Sequence, residues 1–498
     1  MILVVSGIFS KSSTGRDFVT RGEAMVSEEN QFFVGGKWQE FANIARLPVV
    51  DPASEQVVGQ ISAGDAHHVD LAVAAARRAF PAFSQSSVLE RLALLGRMHS
   101  LLMERAETFA EALVMEMGAA ISFARASQVP FAAEHIRVQM EILEEYRFVT
   151  VDGRTATAKE PIGVCALITP WNWPLYQITA KVAPAIAAGC TVVLKPSELS
   201  PYSALLFAQL MHDAGVPPGV FNLVNGTGEA VGAALASHPD VDMISITGST
   251  RAGVLVAQAA APTVKRVVQE LGGKSPNILL DDADFREAVA KGVLAGMRNV
   301  GQSCSAPTRM LVPADRLEEV EELASATASA IRVGAPLDPA TDMGPIANRA
   351  QFERVQVMIQ AGIDDGAKLL CGGLSRPAGL DRGFFTQPTI FSRVTSDMRI
   401  AREEIFGPVL SIMPYKDEEE AISIANDTVY GLGAHVQSSD PERARRVALR
   451  IRAGQVHINY PAWDGAAAFG GYKRSGNGRE YGVYGLEEYL ETKSILGY

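Results

Sequence analysis

The chain has 498 residues, is 47% hydrophobic and 20% charged, and carries a net charge of −11. That length supports more than one core at the usual ~100–200 residues per domain, and an acidic chain without a basic stripe argues against a nucleic-acid partner. The four cysteines, Cys165, Cys190, Cys304 and Cys371, lie far apart and form no CxxC or Cys/His cluster, so neither a disulfide framework nor a metal site is expected, and a reducing cytoplasm is.

In chain order, "MILVVSGIF" is too short to span a bilayer and has no basic stretch before it, so neither a membrane segment nor a targeting signal is expected. Residues 1–24 read as a disordered extension, with folded structure opening at Met25. Val69, Ala72, Val73, Ala76 and Phe80 fall at helical spacing, and two further helical patterns run over 87–117. Residues 147–160 read as a hairpin turning at Asp152-Gly153, with a free edge suited to subunit pairing. From residue 162, apolar strands ("IGVCALIT", "TVVLK", "VFNLV", "MISIT", "RVVQEL") alternate with helices, which predicts a parallel sheet covered on both faces. After 272 the alternation restarts ("SPNILL", "RMLVP"), which predicts a second α/β unit.

A sheet of this kind binds ligands at the carboxyl ends of its strands. Three turns there are candidates for a nucleotide. "GTGEAVG" places Gly226, Gly228 and Gly232 at a strand-to-helix turn, one residue off the usual dinucleotide spacing. "ITGSTRAG" offers Ser249 or Thr250 as a cap whose helix N-terminus could receive a phosphate. "LKPSE" sets Lys195 and Glu198 at a strand end, where a carboxylate can bind ribose hydroxyls. Each turn could also be a plain tight connection or cap.

"RNVGQSCSAPTR" raises a different question, because Cys304 sits among small polar residues and lacks the apolar neighbours of a structural thiol. Together with "TPWNWPLYQITAK", "LKPSE", "ITGST", "ELGGKSPNI", "EEIFGPV" and "FGGYKRSGNGRE", this stretch resembles the aldehyde dehydrogenase superfamily, in its order and from about residue 30 to the end. "CSAPTRMLVP" and "RAGQVHIN" further resemble a bacterial branch that includes 6-oxolauric acid dehydrogenase and 3-succinoylsemialdehyde-pyridine dehydrogenase.

The resemblance implies an α/β, aldehyde-dehydrogenase-like fold. A Rossmann-type NAD(P)-binding domain would comprise 25–142 and 161–272, and a second α/β catalytic domain 273–465. A small β oligomerisation element would comprise 143–160 and 480–498, giving a homodimer or homotetramer. It implies oxidation of an aldehyde through a cysteine adduct, with hydride passing to NAD, NADP remaining open, and the thioester then hydrolysed. Cys304 matches the nucleophile, since a thiolate both makes and releases such an adduct. Asn172 matches the oxyanion-hole amide, Glu270 the general base, and Lys181 a supporting polar network. For the cofactor, Lys195, Ser197 and Glu198 match the adenosine-ribose clamp, Trp171 and Ser249 the pyrophosphate contacts, and Glu404 and Phe406 the nicotinamide contacts. Thr169, Gly228, Gly232, Thr247, Gly248 and Leu271 belong to the same set.

For the substrate, Trp173, Trp463 and Phe469 are candidate aromatic walls, Ser303 and Ser305 flank the nucleophile, and Gln177 and Ala180 stand where bulkier residues would narrow the channel. Arg298 either contacts a substrate carboxylate, as in a semialdehyde dehydrogenase, or points outward to an acidic residue. One departure from the family's pattern is Ala468, where a proline often precedes "FGG". Three other readings differ in kind. A CoA-acylating enzyme would lack Glu270, a cofactor-free thiol esterase would work without NAD, and a silent binding protein would have lost Cys304, Asn172 or Glu270.

Overall fold

The computed structural model describes residues 30–498, so the expectation for residues 1–24 lies outside the described residues. Two sheets organise the chain. The first has eight strands, and its parallel centre runs in the order Arg266–Glu270, Met243–Thr247, Val164–Ile168, Thr191–Lys195, Phe221–Leu223. Of these, Met243–Thr247, Val164–Ile168 and Thr191–Lys195 are buried throughout, as runs such as "TVVLK" require when helices cover both faces. The helix Pro174–Ala188, every residue of which is buried, packs on it, as does Ala66–Phe83, whose Val69, Ala72, Val73 and Ala76 are buried at helical spacing. Antiparallel strands extend both edges: Gln31–Val34 and Lys37–Glu40 on one side, and Gly476–Asn477, from near the chain's end, on the other.

The second sheet has seven strands in the order Lys368–Cys371, Thr389–Ser392, Val409–Tyr415, Arg309–Pro313, Pro276–Leu279, Gly433–Gln437, Gln455–Ile458. All are parallel except the first. Its core is separate from that of the first sheet.

The hairpin pairs Val149–Asp152 with Thr155–Pro161. Asp152 is the last paired residue and the tight connection is Gly153-Arg154, one position later than expected; Gly153 takes a φ of 59° there. Leu490–Leu496 adds a third strand to this sheet. Residues just before it do otherwise: Gly482–Glu488 is a helix, and Glu480 reaches the helix Pro174–Ala188. No helix among the described residues is long and apolar enough to cross a membrane.

Candidate active site

Cys304 lies in the loop between the helix Phe285–Met297 and the strand Arg309–Pro313. The loop begins with three consecutive left-handed residues, Asn299, Val300 and Gly301, at φ 53°, 61° and 67°. That conformation is costly for a β-branched valine and persists only where surroundings enforce it. Gly301 has no alternative, since a Cβ there would sit 2.1 Å from the Gly407 carbonyl oxygen. The enforcing contacts are amides. Asn299 Nδ2 donates to the Asn172 carbonyl at 2.8 Å, Asn172 Nδ2 donates to the Gln302 carbonyl at 2.9 Å, and Gln302 Oε1 accepts the Ala347 N–H at 2.9 Å. The Asn172 loop and the cysteine loop are thereby locked together. Asn172 keeps a second amide hydrogen, and the Cys304 N–H makes no backbone hydrogen bond among the described residues. Sequence reading missed Asn299 and Gln302; their place within "RNVGQSC" was the signal.

Cys304 lines two cavities at once. The polar one, of about 440 Å³, is walled by the candidate cofactor residues Trp171, Thr247, Gly248, Ser249, Glu404 and Phe406, with Asn172 and Glu270. Ser249 caps the helix Thr250–Ala260, its Oγ accepting the Ala252 N–H at 3.2 Å, so the positive end of that helix opens onto the cavity. Trp171 meets Phe406 edge-on at 5.3 Å. The Glu404 carboxylate accepts the Gly273 N–H at 3.0 Å and lies where a Cβ on Gly272 would come within 2.1 Å of it. Burial raises its pKa to about 7. Arg251, Arg354 and Gln351, not anticipated from sequence, complete the wall.

Thr169, Lys195, Ser197, Glu198, Gly228, Gly232 and Leu271 do not line this cavity. Thr169, Lys195, Gly228 and Gly232 lie further along the same carboxyl edge. The Thr169 N–H donates to the Lys195 carbonyl, Lys195 Nζ bonds Glu198 at 3.2 Å and the Pro196 carbonyl at 2.7 Å, and Gly232 backs onto Ile168 and Lys195. Ser197 Oγ accepts the Leu199 N–H and stabilises the turn. Gly228 opens a one-turn π-helix capped by Thr227. Leu271 is buried against Gly253.

The second cavity, of about 320 Å³, is aromatic. Trp173, Gln177, Arg298, Ser303, Ser305, Trp463 and Phe469 all line it. Trp173 Nε1 donates to Ser303 Oγ at 2.8 Å, Trp463 stacks on Phe131 at 4.4 Å, and Phe469 stacks on Tyr481 at 5.0 Å. Ala180 does not widen the channel as expected: its side chain is packed in the core and does not line the cavity. Arg298 does not point outward to an acid. Its Nη2 donates to Ser127 Oγ at 2.8 Å, its guanidinium lies 5.2 to 5.9 Å from the Phe123, Phe131 and Trp173 ring centres, and it has no carboxylate partner among the described residues. Phe131, Tyr176, Tyr481, His435, His457 and Tyr460 were missed, because they converge from distant segments.

Glu270 ends the strand Arg266–Glu270, is 1% exposed, and has neither carboxylate oxygen hydrogen-bonded among the described residues. Burial, then the Glu480 charge, raises its pKa well above the ordinary value, while Lys181 opposes. Lys181 is fully buried, pairs with Glu480 and donates to Ser245 Oγ at 3.0 Å. Burial, followed by the Glu270 and Glu404 charges, raises the Cys304 thiol in the same way.

A model of the aldehyde dehydrogenase family matches residues 38–495. A 3-succinoylsemialdehyde-pyridine dehydrogenase from a Pseudomonas species is 56% identical over 95% of this chain and 99% of its own length. Among solved structures, a Cys-to-Ala variant of aldehyde dehydrogenase C from Pseudomonas syringae, in complex with NAD+ and octanal, superposes with a TM-score of 0.94 at 67% identity, covering 95% of this chain and 97% of that one. An NAD+ complex of a Mycobacterium tuberculosis aldehyde dehydrogenase does so at 0.92 and 40% identity, over 94% and 98%.

Proposed function

Since the chain belongs to the aldehyde dehydrogenase family and is an NAD(P)-dependent aldehyde dehydrogenase, we propose that Cys304 is its nucleophile, Asn172 its oxyanion donor and Glu270 its base. The observation that carries this reading is the position of Cys304 at the junction of the two cavities, facing an unpaired buried carboxylate. The polar cavity suits NAD. The capped helix end would face its phosphates, the Glu404 carboxyl a ribose, and the Trp171 and Phe406 rings its nicotinamide end. The Lys195–Glu198 pair continues the same strand edge, where Glu198 would repel a 2′-phosphate. Bound there, NAD+ supplies a hydride acceptor.

The residues divide the remaining work. A thiol with a raised pKa is mostly protonated at neutral pH, so attack on the aldehyde carbon needs a base at hand, and Glu270 is the carboxylate beside it. The free Asn172 amide hydrogen and the Cys304 N–H point two donors at the developing alkoxide, held in place by Asn299 and Gln302 rather than recruited during reaction. Once the adduct is oxidised to a thioester, Glu270 accepts a proton from water and the acid departs. Lys181, Glu480 and Ser245 form the buried polar network beside Glu270. Cys304→Ala tests the reading: retained NAD-linked aldehyde oxidation would overturn it.

The aromatic walls favour a neutral aldehyde with an aromatic or medium-to-long chain, in keeping with the octanal complex of the syringae relative. A semialdehyde is the second reading, favoured by Arg298, a cavity cation without a carboxylate partner among the described residues. We further propose that residues 25–142 with 161–272 hold the cofactor and that 273–465 supply the nucleophile. The three-stranded sheet, with exposed Val149, Val151, Ile495 and Leu496, would join a second copy into a homodimer or homotetramer in the cytoplasm. A native mass of only 53.2 kDa at micromolar concentration would overturn the assembly.

A further inference from the structure

Among the aromatic walls, Trp173 is joined to the chemistry as well as to the substrate space. It follows Asn172 directly in the chain and opens the helix Pro174–Ala188, where the Gln177 N–H donates to the Trp173 carbonyl at 2.9 Å. Its indole lines the aromatic cavity together with Cys304, and its Nε1–H donates to Ser303 Oγ at 2.8 Å. Ser303 is the residue next to the sulfur. The amide ties from Asn172, Asn299 and Ala347 all end on Gln302, one position earlier. Among the described residues, Trp173 is the one side chain hydrogen-bonded to Ser303, and no other aromatic wall of the cavity bonds to the nucleophile's loop.

The indole has little freedom to yield. Phe123 meets it edge-on at 5.3 Å, Tyr176 lies tilted at 5.3 Å, and the Arg298 guanidinium sits 5.9 Å from its centre, itself bonded to Ser127 Oγ. Turning the ring away from these neighbours breaks the bond to Ser303. A substrate tail packed on the cavity face of the ring therefore holds Ser303, and with it the adjacent sulfur, in one place. Binding energy used in this way speeds the chemical step, whereas contact with an unconnected wall only tightens binding.

Resting on the aldehyde-oxidising reading above, we propose that Trp173 is a positioning residue: through its hydrogen bond to Ser303 it converts occupation of the aromatic cavity into alignment of Cys304 with the carbonyl carbon. An aldehyde too short to press on the ring reacts from a loop held firmly only as far as Gln302. A longer one gains in rate as well as in affinity. The gain is bounded by the single neutral hydrogen bond that transmits it, about 2- to 12-fold.

The test compares propanal with hexanal, straight-chain aldehydes whose carbonyl groups are electronically alike. In the unmodified enzyme, the limiting rate of first NADH formation at saturating NAD and aldehyde should be about 2- to 12-fold higher for hexanal, a readout that needs no variant to fold. Trp173→Phe keeps a ring in the wall and removes the donor, and Ser303→Ala keeps the wall and removes the acceptor. Either should bring the ratio of limiting rates to about one while hexanal retains the lower KM, and the double variant should match the singles. A ratio of one in the unmodified enzyme, a ratio retained in either variant, or losses that multiply in the double variant overturn the proposal. If neither aldehyde yields NADH, the underlying reading of the site falls first.

Discussion

The two cavities that meet at Cys304 are built on different principles. The polar one is made largely of strand ends and the turns that follow them. Ser249 caps a helix, Gly272 gives way to Glu404, and Phe406 holds a φ of 59° beside Gly407. Its shape is fixed by backbone geometry. The aromatic one is made of side chains from segments hundreds of residues apart, such as Phe131 on Trp463 and Tyr176 against Tyr481. Its shape is fixed by packing. A backbone-built site suits a ligand that never changes, and a side-chain-built one can be retuned by single substitutions without disturbing the chemistry between them.

The sharpest way to break this division is at the junction. Cys304→Ala should release no NADH from any aldehyde. Glu270→Gln should release about one NADH per site, more slowly than the unmodified enzyme forms its first NADH because the thiol has lost the base beside it, and then stall, because the thioester forms but water is not activated. The pH dependence follows from the raised carboxyl. Below its folded pKa, Glu270 holds a proton and cannot act as base, so steady-state turnover should fall about tenfold per unit of acidification and rise toward alkaline pH. Turnover that stays unchanged on acidification while chemistry is limiting would remove Glu270 from the role.

Asn172→Ala should cost about 10²- to 10³-fold in kcat, the usual loss for one oxyanion donor. It also removes the bond to the Gln302 carbonyl, so Asn299→Ala separates the roles. That variant leaves the Asn172 amide in place but frees both loops, and should lower kcat less than Asn172→Ala does. Equal losses would mean that loop placement, not the donor, carries the effect.

What the sequence made legible divides in the same way. The parallel sheet and its carboxyl-edge turns were readable because βα alternation and turn chemistry are local: "MISIT" followed by "GST" states a strand, a cap and a helix within a dozen residues. The seven expected substrate residues reach the aromatic cavity through family resemblance. Tyr176, Tyr481 and the histidine pair had no local signature, since a tyrosine in a helix reads as core. Ala180 was placed at the channel by likeness to the family's motif, whereas its side chain is packed in the core and does not line the cavity. Lys181 and Glu480 find each other across 299 positions, a pairing that no window reveals. The edge strands Gln31–Val34 and Lys37–Glu40 escaped because four residues are too few for a periodic pattern.

On the aromatic side, Arg298→Met should separate the two substrate readings. If the guanidinium binds a carboxylate, kcat/KM for an ω-oxo acid should drop about 10- to 150-fold, the worth of a charge-assisted hydrogen bond, while the neutral aldehyde of equal length is spared. Equal losses or none would assign Arg298 to the wall, where three rings and Ser127 already hold it.

The smallest effect tests whether the polar cavity is as backbone-defined as it looks. Ser249 is both a cap for the helix Thr250–Ala260 and a wall of the cavity. Losing a cap costs about 0.5–2 kcal/mol, read as a small drop in the unfolding midpoint. If Ser249 serves NAD only by holding the helix end in place, Ser249→Ala should raise KM for NAD modestly and lower stability. Ser249→Asn, which caps as well with a different side chain, should then recover both. If instead the hydroxyl itself contacts the cofactor, Ser249→Asn should recover stability while KM for NAD stays raised. That split would show that at least one wall of the polar cavity, like the aromatic one, is written in a side chain.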